Sequence, residues 1–296
     1  MRRTFKLITR SFPTILVVTI VLAGAVQVLA DLLTINFESY SLGNVNGQDG
    51  WSKTGAYDVA VVSNTYGYAT FGTQSLRISN AITSGSFGDH TFSKSLTDEA
   101  GESTSSDAYN GGLSGGTRQP YFEAEWDFAS TVPGAEQPGL SVVASPDRGD
   151  GARMSWVQMA DTPTGLEVNF YDYQISAAPP TGDFVFTNVV SGLDRTVPHR
   201  IKITMEFVDG PENDVVKVYV DGALLHTGTS WEDYFRQNQP PGTRTVDAIL
   251  FRVGGAAAPA TSGKGFLIDN FKSLSGPFPC TTDCYVDDAI GNDANG

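Results

Sequence analysis

The sequence predicts an all-β fold, a sandwich of two antiparallel sheets, and three observations support it. In residues 199–231 apolar and polar side chains alternate with the period of two that is typical of strands with one buried face. No sustained 3.6-residue periodicity appears in the 296 residues, which disfavours a helical or mixed domain. Short apolar runs instead recur between clusters of turn residues, at the spacing found in β-sandwiches.

Residues 1–30 are predicted to be an export segment that precedes the sandwich. Four basic residues come before an apolar run that starts near Pro13, and Val28-Leu29-Ala30 offers a small-residue cleavage site before Asp31. If it is not cleaved, the apolar run is nearly long enough to anchor the chain in a membrane. We therefore expect a secreted or cell-surface protein.

The charge of the remaining chain limits its partners. Four of the 19 basic residues and none of the 33 acidic residues lie in the leader, so 15 basic residues face 33 acidic ones and the formal charge is near −18. Such a surface repels phosphate groups, so we expect no nucleic-acid partner and no membrane contact beyond an anchor. Neutral sugars and divalent cations remain compatible. Residues 31–276 are enough for one large sandwich without a second domain.

Strand candidates follow one another along the whole domain. They are predicted at 31–37, 58–62, 69–71, 75–78, 87–96, 121–128, 140–144, 153–159, 166–173, 184–190, 248–253 and 265–274. Residues 97–120 are rich in Ser, Gly, Asp and Asn and are predicted to be a long surface loop. One helical turn is expected at 231–236.

The segment 199–231 is predicted to be a three-stranded meander. The inner faces of its first two strands are expected to be apolar, namely Ile201, Ile203, Met205, Phe207, Val216, Val218 and Val220. Asp221-Gly222 follows the second strand directly, and an Asp-Gly pair favours a tight turn in which both residues have positive φ. The third strand should therefore pair back antiparallel.

This meander resembles a known family. The pattern V-x-V-Y-V-D-G-x-L at 216–224, after H-x-I-K-I at 199–203, resembles the later strands of concanavalin A-like lectin/glucanase sandwiches, including laminin-G-like modules. The resemblance implies a jelly-roll β-sandwich of two antiparallel sheets. That superfamily contains lectins, glycosidases, lyases and adhesion modules, so the resemblance predicts the fold and leaves the activity open.

The composition changes after Gly276. Residues 285–296, Y-V-D-D-A-I-G-N-D-A-N-G, resemble the start of a secreted right-handed parallel β-helix domain, so 277–296 is predicted to be a disordered tail that would open such a domain in a longer chain. Cys280 and Cys284 are the only cysteines, and in an exported chain they are predicted to form a short-loop disulfide.

Three alternating carboxylates are the candidate catalytic groups. Glu123, Glu125 and Asp127 in F-E-A-E-W-D-F lie on one face of one strand. Retaining glycosidases need two carboxyl groups about 5–5.5 Å apart, which residues i and i+2 of a strand approach. The retaining β-glucanases of the family that the chain resembles carry E-x-D-x-E or E-x-D-x-x-E, whereas this chain has E-x-E-x-D. The alternative is a solvated strand face.

The resemblance also implies a metal site at the two ends of the sandwich. Phe37-Glu38 and Ile268-Asp269-Asn270 are similar to elements that lie side by side in carbohydrate-binding sandwich modules and hold a structural calcium. Calcium takes six to eight oxygen ligands, so Glu38 and Asp269 would need further carbonyl or amide oxygens. The alternative is that both carboxylates cap the ends of strands.

The aromatic residues complete the functional prediction. Sugar rings stack on exposed Trp and Tyr, and Trp231 and Tyr234, in the polar segment T-S-W-E-D-Y-F-R, are expected to be partly exposed and to bind ligand. We therefore predict an exported, non-catalytic module that binds glycan or cell-surface polysaccharide, or spaces a larger surface protein. The alternative is a polysaccharide-degrading glycosidase or lyase that uses Glu123, Glu125 and Asp127, which requires a concave cleft lined by Trp or Tyr around them.

Overall fold

A computed structural model describes residues 30–85, 87–103, 117–175, 182–238 and 244–279. Three predicted features lie outside these residues: residues 1–29 of the export segment, the cysteine pair Cys280 and Cys284, and most of the C-terminal tail. Within them, no helix is both long and apolar enough to cross a membrane.

The regular secondary structure of the described chain is almost entirely β-strand. In chain order the strands are β1 (Asp31–Ile35), β2 (Ser52–Thr54), β3 (Asp58–Ser63), β4 (Gln74–Ser79), β5 (His90–Phe92), β6 (Ala100–Gly101), β7 (Tyr121–Ser130), β8 (Ser141–Asp147), β9 (Val157–Thr162), β10 (Gly165–Ile175), β11 (Gly182–Leu193), β12 (His199–Glu206), β13 (Val215–Val220), β14 (Ala223–Gly228), β15 (Thr245–Val246), β16 (Ala248–Val253) and β17 (Phe266–Gly276). One short α-helix, α1 (Glu232–Asn238), follows β14.

Two large antiparallel sheets face each other across one core. The eight-stranded sheet has the order β14-β13-β12-β7-β17-β4-β3, with β1 paired to β17. The seven-stranded sheet has the order β11-β10-β9-β8-β16-β5-β2. Sequence neighbours often lie in different sheets, so the chain crosses between the layers repeatedly, as in a jelly roll.

The predicted meander is confirmed. β12, β13 and β14 pair antiparallel, and Val220 lies opposite Ala223, so that only Asp221 and Gly222 form the connection. Both have positive φ, 51° and 82°, as a two-residue primed turn requires. The predicted inner-face residues of the first two strands are all buried.

Aromatic side chains tie the two sheets together. Trp126 of β7 and Phe251 of β16, which belong to opposite sheets, meet edge to face with ring centroids 6.1 Å apart. Trp51 stacks on Phe251 at 6.3 Å and contacts Phe271 of β17 at 6.0 Å. All four rings are almost fully buried, so this group forms the centre of the core.

Three local predictions were wrong. Ala69–Phe71 is a 3₁₀ turn rather than a strand, because Phe71 turns inward to pack on Tyr68. Residues 99–102 of the predicted surface loop are buried, because β6 pairs with β15. The strand predicted from Arg153 begins only at Val157, because Met154 is buried in the core and its backbone bonds to Pro146 and Trp231 instead of continuing the strand.

Truncating Phe251 tests this account of the core. Phe251→Ala removes a fully buried ring that contacts both sheets, so the free energy of unfolding should fall by about 3–5 kcal/mol. Leu225→Ala is the control, because Leu225 is 44% exposed on the edge strand β14 and its loss should cost about 0.5 kcal/mol or less. Urea denaturation of both variants measures the difference, and similar losses would contradict it.

Candidate functional site

The candidate site lies on the outer face of the seven-stranded sheet, where Asp147 organises the loop that follows β8. Its Oδ1 accepts hydrogen bonds from the backbone N–H groups of Gly149, Asp150 and Gly151, at 2.6, 3.1 and 3.1 Å. The carboxyl group is fully buried, and burial raises the pKa of Asp147 to about 6. This compact loop carries the chain to Arg153.

Two arginines meet at this loop. Phe251 of β16 points into the core, so its neighbour Arg252 points to the outer face. The guanidinium groups of Arg252 and Arg153 lie 4.7 and 5.7 Å from the ring centre of Phe87. Arg252 also lies 5.6 Å from the ring centre of Trp156. The two side chains therefore share one aromatic contact.

Neither of these arginines has a salt-bridge partner among the described residues. Arg153 Nε and Arg252 Nη1 are buried and have no hydrogen-bond partner there. Burial and the charge of Arg153 lower the pKa of Arg252 to about 10, so both groups are still positive at neutral pH. The neighbouring Arg148, in contrast, is paired with Asp150 at 2.7 Å. Two partly desolvated positive charges thus lie together without a salt bridge among the described residues, although the charges of Asp147 and Asp89 act on Arg153 and Arg252 respectively.

His90 lies next to this pair. It is directly opposite Arg252 in the β5–β16 register, so the two side chains share the outer face. Burial, reinforced by the charges of Arg153 and Arg252, lowers the pKa of His90 to about 4, which keeps the imidazole neutral at pH 7. Its Nε2 has no hydrogen-bond partner among the described residues, and its ring lies close behind Gly151.

Aromatic rings form the wall beyond the arginines. Trp156 packs on Tyr171 of β10 with centroids 5.1 Å apart, and on Trp231 at 5.9 Å. Phe184 of β11 contacts Trp231 at 4.6 Å and Tyr234 of α1 at 5.3 Å. The wall therefore combines residues from β10, β11 and the segment at α1.

A buried group of charged residues holds α1 in place. Ligand oxygens of Glu102, Asp214 and Glu232 lie within 4.8 Å of one another. Arg236 pairs with Glu232 at 3.2 Å and Arg244 with Glu102 at 2.7 Å. Burial raises the pKa of Asp214 to about 7 and that of Glu232 to about 8. Because the arginines balance most of the charge, we interpret this group as an anchor for the helix.

The loop after β8 and the aromatic wall line a cleft of about 760 Å³, within the size range of ligand sites, and Arg252 and His90 lie beside it. Its lining residues are Phe87, Arg148, Asp150, Gly151, Ala152, Arg153, Trp156, Tyr171, Phe184, Trp231, Tyr234 and Phe235. Aromatic faces can stack on sugar rings, and a guanidinium group matches the two oxygens of a carboxylate. The arrangement suits a sugar that carries an anionic group.

The predicted catalytic carboxylates lie on the opposite side of the sandwich. Glu123, Glu125 and Asp127 share the outer face of the eight-stranded sheet, as expected from their alternation. Each has a cationic neighbour: Lys202 lies 3.7 Å from Glu123, and Arg200 lies 3.4 Å from Glu125 and 2.7 Å from Asp127. A depression of about 550 Å³ at this face contains one tyrosine and no tryptophan in its lining.

Trp231 and Tyr234 do line the cleft, but Trp231 is only 5% exposed rather than partly exposed as expected. Its Nε1–H donates to the carbonyl oxygen of Tyr171 at 2.9 Å, and its backbone N–H donates to that of Met154 at 2.8 Å. These bonds turn the ring inward. Tyr234 is half-buried.

Glu38 and Asp269, the predicted metal ligands, lie near each other. Burial raises the pKa of Asp269 to about 7, and the negative charge of Glu38 adds to this shift. Asp269 accepts hydrogen bonds from the Ser75 hydroxyl at 2.8 Å and the Asn270 N–H at 2.6 Å. Glu38 accepts from the N–H and hydroxyl of Thr73. The carboxylates are thus satisfied by N–H and O–H donors, an arrangement that does not fit a calcium cage. Calcium here stays a prediction.

Sequence reasoning missed Arg153, Arg252 and His90. The sequence contains one signal for Arg252, which interrupts the apolar strand A-I-L-F-R-V. A charged residue within a mostly buried strand is uncommon and indicates a possible functional role. Arg153 lies in a loop and His90 in β5, and only the fold brings these two residues next to Arg252.

No protein-family model matches the chain, and neither does any curated protein. Among solved structures, an alginate lyase in complex with an alginate tetrasaccharide aligns over 83% of this chain and 97% of its own, with 11% identity and a TM-score of 0.45. An endo-β-1,4-glucuronan lyase from Trichoderma reesei aligns over 84% and 94%, with 13% identity and a TM-score of 0.42. A family 16 endo-glucanase from Bacteroides ovatus aligns over 82% and 99%, with 12% identity and a TM-score of 0.41.

The described residues form a jelly-roll β-sandwich of two antiparallel sheets. The fold prediction is therefore confirmed. The main functional prediction, a non-catalytic binding or spacer module, was wrong: the similar structures are polysaccharide lyases and glycoside hydrolases, which favours the predicted alternative of a polysaccharide-degrading enzyme.

The pKa of His90 tests the electrostatics of this sandwich's cleft. NMR titration of the three histidines should show one imidazole with a midpoint of about 4. In Arg252→Ala this midpoint should rise toward 6.5, because one repelling charge is lost. Arg200→Ala, on the other sheet, should leave it at about 4. An unchanged midpoint in Arg252→Ala would contradict the assignment.

The same pKa predicts a pH dependence of stability. The folded-state value lies below the ordinary 6.5, so between about pH 4 and 6.5 the unfolded chain binds more protons at this group. His90 therefore destabilises the fold progressively as the pH falls through this window. In His90→Gln this contribution should disappear. The difference in unfolding free energy between the variant and the wild type should therefore change with pH between about pH 4 and 6.5 and be constant above pH 7. Urea denaturation measures this difference.

Proposed function

We propose that this chain is a polysaccharide-cleaving enzyme whose substrate contains uronic acid, and that it cleaves by β-elimination. The proposal rests on one observation: Arg153 in the lining of an aromatic cleft, and Arg252 beside it at Phe87 and Trp156, have no salt-bridge partner among the described residues of an otherwise acidic protein. The proposal retains the glycan partner and the lyase alternative that the sequence predicted. It places the reaction on the seven-stranded sheet, not on the eight-stranded sheet that carries Glu123, Glu125 and Asp127.

The arginine pair favours a carboxylate. Each guanidinium offers a planar fork of N–H donors that can bind both oxygens of the anion. Because Arg153 is 9% exposed, its interaction with a bound anion is poorly screened by water. A net formal charge of −14 repels anionic polymers from the rest of the surface, so the cleft is a local exception that would direct such a chain to this site.

Elimination follows from the same geometry. Neutralising the uronate carboxylate makes the proton on C5 more acidic, because the negative charge that develops on removal of that proton spreads onto the carboxylate. A base then removes this proton, a double bond forms between C4 and C5, and the bond from C4 to the bridging oxygen breaks. The bridging oxygen leaves with a proton from an acid, so no water or oxidant is consumed.

His90 is our candidate for the base. It is neutral at pH 7, and its side chain shares the outer face with Arg252. Its ring lies behind Gly151, which lines the cleft, so this segment has to shift for Nε2 to reach a substrate. Tyr171 and Tyr234, both half-buried in the wall, are our candidates for the acid.

Export completes the proposal. An exported enzyme would meet its polysaccharide outside the cell, in agreement with the predicted leader at 1–30 and the acidic composition.

Replacement of Arg252 tests the carboxylate site. Arg252→Ala should lower kcat/KM on a cleaved polyuronate by roughly thirtyfold to several thousandfold, equivalent to about 2–5 kcal/mol, because a desolvated charge pair is lost. Arg252→Lys keeps the charge but not the fork and should lose less. Arg200→Ala, which removes an arginine from the opposite sheet, is the matched control and should retain activity.

The assay follows ultraviolet absorption of the unsaturated product on polyglucuronate, polymannuronate and polygalacturonate. New reducing ends without this absorption would show hydrolysis and contradict elimination. No cleavage of any uronate polymer, together with no binding, would contradict the proposed function as a whole.

A further inference from the structure

We infer that the buried charged group beneath α1 is a pH-dependent latch, which holds the helix against the cleft while one of its carboxyl groups is protonated and releases it when all of them are ionised. The latch consists of Glu102, Asp214, Glu232, Arg236 and Arg244. The helix carries Tyr234 and Phe235 of the cleft lining, so its release would open the cleft. The inference concerns the order of this helix and does not depend on the proposed function.

Side chains, not strand pairing, tie α1 to the sandwich. Oε1 of Glu232 accepts the backbone N–H groups of Asn213 and Asp214, at 3.0 and 3.2 Å. Oδ2 of Asp233 accepts a further backbone N–H group at 3.0 Å. All three donors lie in the loop 207–214, which joins β12 to β13. Among the described residues no backbone hydrogen bond joins α1 to a strand, so the helix can separate without breaking a sheet.

The latch contains more carboxyl groups than guanidinium groups. Oxygens of Glu102, Asp214 and Glu232 lie within 4.8 Å of one another. Arg236 lies 3.2 Å from Glu232, and Arg244 lies 2.7 Å from Glu102. Three carboxylates this close repel one another when all are charged, and the two guanidinium groups do not offset all of that charge. Protonation of one carboxyl group relieves the repulsion.

The segments around the latch add more acidic groups than basic ones. The other charged residues on these segments are Asp233 of α1, Asp209 and Glu212 of the loop 207–214, and Glu99 and Arg118 of the segments that flank β6 and β7. Arg118 lies 3.7 Å from Glu99, and it also donates to the backbone carbonyl oxygen of Glu102. Carboxylates therefore outnumber guanidinium groups throughout this part of the described chain.

Burial increases the cost of the uncompensated charge. Glu102, Asp214 and Glu232 are all almost fully buried. Burial, reinforced by the charge of Asp214, raises the pKa of Glu232 from 4.5 to about 8, and burial raises the pKa of Asp214 from 3.8 to about 7. Both values are higher in the closed state than in the open one, so the stability that these groups confer is complete in acid. It is lost as the pH rises through about 7 to 8.

Hydrogen exchange of the α1 amides, followed by mass spectrometry at several pH values, tests the latch. The opening constant is obtained after correction for the base-catalysed intrinsic rate. Between about pH 6 and 8.5 it should rise about tenfold or more for α1 and the loop 207–214, because each proton released on opening favours the open form. The amides of β12, His199–Glu206, are the internal control and should show no such rise, since the sheets stay paired.

Asp214→Asn removes one ionisable group with little change of shape. An asparagine can still accept the N–H of Val208 and bond the hydroxyl of Ser230, which lie 3.0 and 2.7 Å from the wild-type carboxylate. At pH 8.5 α1 should therefore be better protected in this variant than in the wild type, a gain that a purely structural role would not produce. Glu206→Gln is the matched control, because Glu206 ends β12, pairs with Lys217 and lies outside the latch. Its pH profile should match the wild type.

Either of two results would overturn the inference. If the opening constant of α1 does not rise with pH, or rises no more than that of β12, ionisation does not release the helix. If Asp214→Asn keeps the wild-type pH profile, this carboxylate is not its origin. Should that variant fail to fold, Glu232→Gln keeps the oxygen that accepts both N–H groups and answers the same question. No cleavage assay enters these results, so they are independent of the test of the proposed function.

Discussion

The pleat of β16 is the constraint on which the rest of the structure depends. Successive residues of a strand point to opposite faces, so Phe251 and Arg252 cannot both be buried in the core. Phe251 joins Trp51 and Trp126 between the sheets, and this packing pins the strand. Arg252 is therefore held on the outer face by the same contacts that stabilise the fold. A charge at the centre of a sheet is kept there by apolar packing behind it.

Two supports convert this fixed charge into a site. Asp147 gathers the backbone N–H groups of the loop after β8 and brings Arg153 to Arg252. The buried carboxylates and arginines beneath α1 hold the helix so that Tyr234 faces the cleft. Neither support touches a ligand in our proposal. Each lies at a connection between strands, where the chain is free to vary without disturbing the sheets.

The two outer faces of the sandwich show why similar residues have different roles. On the eight-stranded sheet Arg200 lies between Glu125 and Asp127, and the carboxylates compensate its charge. Such half-exposed pairs contribute little to stability and leave no charge for a ligand. On the seven-stranded sheet Arg153 and Arg252 face aromatic rings instead of carboxylates. The candidate site is therefore distinguished by arginines that form no salt bridge among the described residues, not by residue type.

The sequence by itself determined the sandwich class, most strand positions, the Asp221-Gly222 turn and the inward face of the meander. These follow from period-two alternation and turn chemistry, which act over a few residues. It also placed Glu123, Glu125 and Asp127 on one face, but could not show that Lys202 and Arg200 of β12 lie beside them. The tertiary structure alone decided that point, because pairing of β7 with β12 joins segments that are more than 70 residues apart. The same reason explains why Arg252, Arg153 and His90 were missed: each lies in a different segment, and only the order of the strands in the sheet makes them neighbours.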